Sequence, residues 1–224
     1  MHRQILGAAA ALALGLSPAL AAMGAACPGP QAALVERFTS ADCSSCWSQP
    51  PRDAEPEAWV LDWLLPAGEQ APLAAAALPE ALERLQRLGQ PRPAAARSAR
   101  QPAGSSTDLH LIAQAGPAWL GRTMAFEFIA QASAALPPGA TGWLAMVELL
   151  PAGAEGSPVA RALVRHVAGP LNLDGLQPGG AALSHLRAMR WPDGADPTRL
   201  AAYAWVELAD GRVLAISADR CATP

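Results

Sequence analysis

The sequence predicts an α+β protein: a front part with one well-patterned helix and two closely spaced cysteines, then an antiparallel β-sandwich-like module. Three observations point there. Leu78, Ala81, Leu82, Leu85 and Leu88 recur at spacings of three and four, the period of a half-buried helix. Beyond residue 107, short apolar runs alternate with Gly/Pro turns, and Met124, Phe126 and Phe128 take every second place, the period of a strand. Near the end Asp210-Gly211 joins two such runs, the strongest short hairpin signal.

The chain opens with His2 and Arg3, an uncharged apolar stretch over residues 5–16, then Pro18 and the small-residue run Ala19-Leu20-Ala21-Ala22. That three-part layout is a secretory signal, and it predicts cleavage after Ala21 or Ala22, removing residues 1–22. A membrane-crossing helix needs roughly 20 residues, so the stretch is too short for a permanent anchor. The protein is therefore expected in the periplasm or outside the cell. Gly24-Ala25-Ala26 before Cys27 offers a second route, a lipoprotein attached through Cys27, ranked lower because such sites usually carry Leu where this chain has Gly24. No transmembrane segment is expected in the mature chain: residues 71–78 are too few, and Glu148 interrupts residues 143–150. With a formal net charge of −3 and only arginines as cations beside histidine, no basic field exists for phosphates, and nucleic acid is excluded as a partner.

After the signal, residues 32–38 read as a short strand ending in the turn formers Thr39-Ser40-Ala41-Asp42. Pro50, Pro51 and Pro56 forbid a long helix after Cys46. Residues 59–65 form a compact apolar run bracketed by Pro56 and Pro66, which predicts a buried strand. The helix over residues 79–88 starts on Pro79 and stops at Gly89, with Glu80–Arg84 and Glu83–Arg87 as i,i+4 pairs worth a few tenths of a kcal/mol each. Residues 91–106 hold Pro and Arg with no apolar side chain larger than Ala, and read as a linker between a front module (27–90) and a back module (107–224). In the back module, residues 108–112, 123–129, 143–150, 159–167, 203–209 and 212–217 read as six strands. Residues 169–197 read as a patternless surface excursion.

The four cysteines carry the most informative chemistry. Cys43 and Cys46 form a C-x-x-C pair at a strand end, which in an exported chain means a redox dithiol or a tight structural disulfide. A zinc half-site is the third option and would need two further ligands, while His110, His166 and His185 show no ligand spacing, so no metal or other cofactor is expected. Cys27 and Cys221 pair with one another, or else Cys27 is lipidated and Cys221 free. The bond ranks first because an exposed thiol is a liability outside the cell.

Residues 34–46, Leu-Val-Glu-Arg-Phe-Thr-Ser-Ala-Asp-Cys-Ser-Ser-Cys, resemble the opening of a family of exported bacterial thioredoxin-like proteins of unknown function (the domain of unknown function 1223 type). Thinner similarity runs through Trp59 to Trp63, Arg161-Ala162-Leu163 and Gly211-Arg212-Val213-Leu214. The resemblance implies a reduced thioredoxin-like front module followed by a β-rich module. It also implies the order of roles in a redox reading, with Cys43 as nucleophile and Cys46 resolving. The chain departs from a working dithiol in two ways. Trp47-Ser48-Gln49 and the prolines leave no room for the helix that favours a thiolate. Pro91, Pro93 and Pro102 are candidates by position for a cis proline beside the dithiol, yet the residues after them offer no strand.

No G-x-S-x-G, phosphate loop or paired-His helix is present, so hydrolase, nucleotide and zinc-protease chemistry lack support. Of the seven tryptophans most should be core; Trp47, beside the cysteines and among prolines, is the candidate contact residue, with packing over the Cys43–Cys46 bond as its other role. Two function classes follow. The first is a non-enzymatic envelope protein that binds or stabilises a partner, a periplasmic protein being the expected class. The second is a periplasmic thiol–disulfide oxidoreductase using Cys43 and Cys46.

Overall fold

Strand β1 (Leu34–Ser40) and strand β2 (Trp59–Leu65) run parallel, and β2 is in turn parallel to β7 (Arg161–Leu171) through Asp62 and Leu163. The computed structural model of the chain, which describes residues 27–29, 32–51, 57–104, 106–119 and 121–221, thus joins front and back strands in one sheet. The proposed signal, residues 1–22, lies outside the described residues.

The remaining elements are the one-turn helix α1 (Ser44–Trp47), helix α2 (Glu80–Arg87), and strands β3 (Ala96–Gln101), β4 (Leu109–Trp119), β5 (Thr123–Ala132), β6 (Thr141–Leu150), β8 (Leu183–Arg190), β9 (Leu200–Glu207) and β10 (Val213–Ala218). Seven strands form a mixed sheet in the order β10-β9-β6-β7-β2-β1-β3, and three form an antiparallel sheet in the order β4-β5-β8.

The expected α+β class, with a reduced thioredoxin-like front module, is therefore corrected. Ten strands and two α-helices, one of them a single turn, make the described residues mostly β rather than α+β. The reason is the pairing of β2 with β7, which spends the front strands on extending a β-rich sheet. Two local expectations change with it. The linker read at residues 91–106 contains β3, antiparallel to β1, and the excursion at residues 169–197 contains β8, antiparallel to β5.

One face of the large sheet carries Leu34, Phe38, Leu61, Trp63, Val147, Tyr203 and Trp205, packed with Ala81 and Leu85 of α2. Each fully buried leucine there contributes about 1.5–3 kcal/mol. The opposite face at β6 and β9 presents Leu144, Met146, Ala202 and Val206 to Leu111, Met124, Phe126 and Phe128 of the small sheet. A minor core of Trp47, Leu64, Leu150 and Leu163 fills that face at β2 and β7.

The large sheet curls around α2. Beyond β3 the chain reaches the opposite edge, where Ala103 bridges Val213 in parallel, Gly104 N–H donates to the Val213 carbonyl, and Val213 N–H donates to that of Pro102. Arg84 of α2 spans the curl. Its guanidinium donates to Glu36 on β1 (Nη2 to Oε2, 2.8 Å) and to Glu207 on β9 (Nη2 to Oε2, 2.7 Å), strands with three others between them. Arg84, Glu36 and Glu207 are all buried, and the guanidinium also lies over Trp143 and Trp205, 5.2 and 5.4 Å from the ring centroids. The expected Glu80–Arg84 pairing on the helix surface is thus replaced by an inward ion pair.

Candidate functional site

The cysteine loop begins where β1 ends. Ala41 N–H donates to Leu65 and Cys43 N–H to Ser40, turning the chain off the sheet. Cys43 then caps α1, its carbonyl accepting from Cys46 N–H (3.0 Å) and Trp47 N–H (3.2 Å). One turn of helix sets the Cα atoms of Cys43 and Cys46 5.3 Å apart, and their sulfurs are bonded. Both cysteines are half-buried, and Ser44 and Ser45 between them are exposed. The second disulfide joins Cys27 to Cys221, with Cα atoms 5.4 Å apart across 194 residues. A sulfur so engaged has no valence left for a lipid.

Trp47 does not stand out as a contact residue. It is 2 % exposed, packed on Leu64, Leu150 and Leu163, with Nε1–H donating to the Glu155 carbonyl at 2.9 Å. An indole is mostly apolar surface with one donor, so burial with that donor satisfied is its favoured state.

Beneath the loop sits Arg161 of β7. Its guanidinium lies 4.6 Å from the Trp47 ring centroid, and Nη2 donates to the carbonyls of Trp47 (2.9 Å) and Gln49 (3.0 Å). Nε donates to Ser157 Oγ and Nη1 to Asp62 Oδ1 (3.1 Å). Burial pushes the Asp62 carboxyl up, opposed by the charges of Arg161 and Arg37 and by hydrogen bonds from Arg161 and Ala162 N–H. A second pair, Arg165 with Glu148 (2.6 Å) and Glu155 (2.8 Å), braces the neighbouring turn. Glu155 there takes a left-handed φ of 46°, costly for a side chain with a Cβ and offset by its ion pair and its carbonyl bond to Trp47.

A groove of about 340 Å³ opens beside the loop, lined by Cys46, Pro50 and Pro51 on one side and by Thr39, Ala96 and Ser98 on the other. The expectation that no strand follows the candidate prolines is corrected: β3 begins three residues after Pro93 and forms one wall. The cis peptide among the described residues is Gly169–Pro170, which lines a different groove, beside α2. No group of three or more His, Cys, Asp or Glu side chains that could hold a metal occurs among the described residues, nor does any helix long and apolar enough to cross a membrane.

Sequence reading missed the charged residues that build this region, although a signal existed. Asp62 and Glu148 each sit inside an otherwise apolar run, Glu207 closes another, Glu36 follows Leu34 and Val35, and Arg84 falls in phase with Ala81, Leu85 and Leu88. A charge in a core position needs a partner, and each of these has one.

Together fold and site define a mostly β protein: a curled mixed sheet, a small sheet stacked on it, and a disulfide loop locked onto one face by buried arginines. Among solved structures it is similar to HBP35 of Porphyromonas gingivalis, with a TM-score of 0.51 over 89% of this chain and 78% of that one at 10% identity. At that identity the likeness is one of fold alone. No family model and no curated protein matches the sequence.

Proposed function

We propose that the protein is exported and works without catalysis, binding or stabilising a partner in the cell envelope, with Cys43–Cys46 as a closed structural bond. The observation that carries this reading is the anchoring of the loop from below. Arg161 holds two of its carbonyls, Trp47 is sunk in the core, and only one helical turn follows Cys43. Exchange chemistry needs an attacking thiolate that is stabilised and free to move against a second sulfur, and a loop so tied favours the closed state. Export is supported by the signal-like start, by four cysteines all spent in two disulfides, and by the likeness of residues 34–46 to an exported bacterial family.

The reduction potential of Cys43–Cys46 tests the reading: below about −300 mV fits a structural bond, and a markedly higher value sinks it. Fractionation of cells, with the mature end mapped after Ala21 or Ala22, tests export.

One observation favours the second reading, a thiol–disulfide oxidoreductase. Both cysteines are half-buried, and Cys46 borders an open groove. In that reading the Cys43 thiolate attacks a substrate disulfide, and Cys46 then displaces the substrate, leaving Cys43–Cys46 oxidised and the substrate a dithiol. A Cys46→Ser variant that accumulates mixed-disulfide partners supports it; one that only loses stability supports the structural reading.

A further inference from the structure

We infer that the outer edge of β3 is a docking edge for an extended, acidic segment of a partner protein, which pairs with it as an added strand. This rests on the binding function proposed above and names the chemistry of its partner. Of the two strands that end the large sheet, β10 is covered: the segment after β3 bridges it at Val213, and β4 packs on it. By contrast, among the described residues β3 pairs only with β1, and Ala96, Arg97, Ser98 and Arg100 are exposed.

The phase of its backbone follows from the ladder. Ser40 N–H donates to the Ala95 carbonyl, and antiparallel pairs alternate, so residues 97, 99 and 101 turn their amides to β1 while Ala96, Ser98 and Arg100 turn theirs outward. An arriving strand finds that row ready.

Charge selects what arrives. The strand reads Ala-Arg-Ser-Ala-Arg-Gln and holds no acid, and Arg97 on it and Arg92 just before it are exposed, in a chain whose net charge is −3. A second copy paired about Arg97 would set that arginine against its own copy, and edge cations commonly guard against such self-pairing. The guard needs no groove. Yet the groove by Pro50, Pro51 and Cys46 opens along Ala96 and Ser98, placed to take a side chain of an incoming strand. Carboxylates alternating with apolar residues would meet both features.

The test uses the whole mature protein, isotope-labelled, titrated with an extended peptide of alternating Glu and Val and with its Lys-for-Glu counterpart. Slowed amide exchange at Ala96, Ser98 and Arg100 with the Glu peptide alone, weakened by salt, is the expected result. Ser98→Pro removes an outward donor that β1 does not use and should abolish binding, and Arg97→Glu should weaken it at least tenfold. Equal binding of the Lys peptide, protection elsewhere than β3, protection that instead rises with protein concentration and no peptide, or no binding at all overturns the inference. A reduction potential above the structural range would sink the proposed non-catalytic reading while leaving this edge standing.

Discussion

Arg84 ties β1 to β9 from within the curl of the large sheet. Two carboxylates converge on it, Gln101 donates to Glu36 beside it, and Arg87 Nε adds a 2.9 Å contact to Glu207. Burial alone would lower the Arg84 pKa, but the charges of Glu36 and Glu207 and their hydrogen bonds raise it above its ordinary value. Removing one partner of a buried pair strands the others, so Arg84→Ala should cost about 3–5 kcal/mol in denaturant unfolding. Arg84→Met combined with Glu36→Leu and Glu207→Leu should recover most of that loss. For Glu207, burial pushes the carboxyl up, but the hydrogen bonds and charges of Arg84 and Arg87 outweigh it and hold the group below its ordinary 4.5. A depressed acid stabilises the fold fully above its unfolded value and loses that contribution as pH falls through the folded one. Stability should therefore fall as pH drops below about 4.5, and the fall should shrink in the Arg84→Met variant, as read by unfolding at a series of pH values. Gly169 is the second sensitive position, for a Cβ there would lie 2.3 Å from Cε3 of Trp143, whose ring is stacked on Trp205 at 5.9 Å. Gly169→Ala should cost about 1–3 kcal/mol or more by overpacking, measured by thermal unfolding.

Among elements, legibility tracks burial. Strand β2 and helix α2 stand within a residue of the expected 59–65 and 79–88, because both bury an apolar set whose period is written locally. The hairpin at Asp210-Gly211 joins β9 to β10 as read. Strands β3 and β8 were illegible for the converse reason. Their side chains are largely exposed, and what makes them strands is a hydrogen-bonded neighbour, β1 for one and β5 for the other, which leaves no trace in their own composition. Of the candidate site, the cysteine spacing and both pairings were legible, whereas Arg161 was not, since its partners Trp47, Gln49 and Asp62 lie about 100 residues or more away. That arginine gives a test at this scale. Arg161→Gln removes the bonds under the loop, and Cys43–Cys46 should then be reduced faster by dithiothreitol at low concentration while Cys27–Cys221 keeps its rate, as resolved by thiol alkylation and mass spectrometry.

For the molecule as a whole, the decisive event is the parallel pairing of β2 with β7, joining residues about 100 positions apart and bringing front and back strands into one curled sheet. No local pattern encodes that choice, which is why the fold class read from elements alone was wrong. The two disulfides should contribute unequally to global stability, because the loop closed by Cys27–Cys221 is long and that closed by Cys43–Cys46 is four residues. Chain-entropy reasoning gives about 5 kcal/mol for the first and about 2 for the second, so Cys27→Ser/Cys221→Ser should lower unfolding free energy more than Cys43→Ser/Cys46→Ser by about 3 kcal/mol.

Cys27–Cys221 also encloses every described residue in one covalent ring. A ring cut once stays in one piece. Protease that nicks an exposed turn such as the one at Gly153 should therefore yield a single band under oxidising electrophoresis and two bands once the sample is reduced. The protein would survive such damage with its halves still tethered, and the strand edges they contribute to the curled sheet would remain close enough to re-pair.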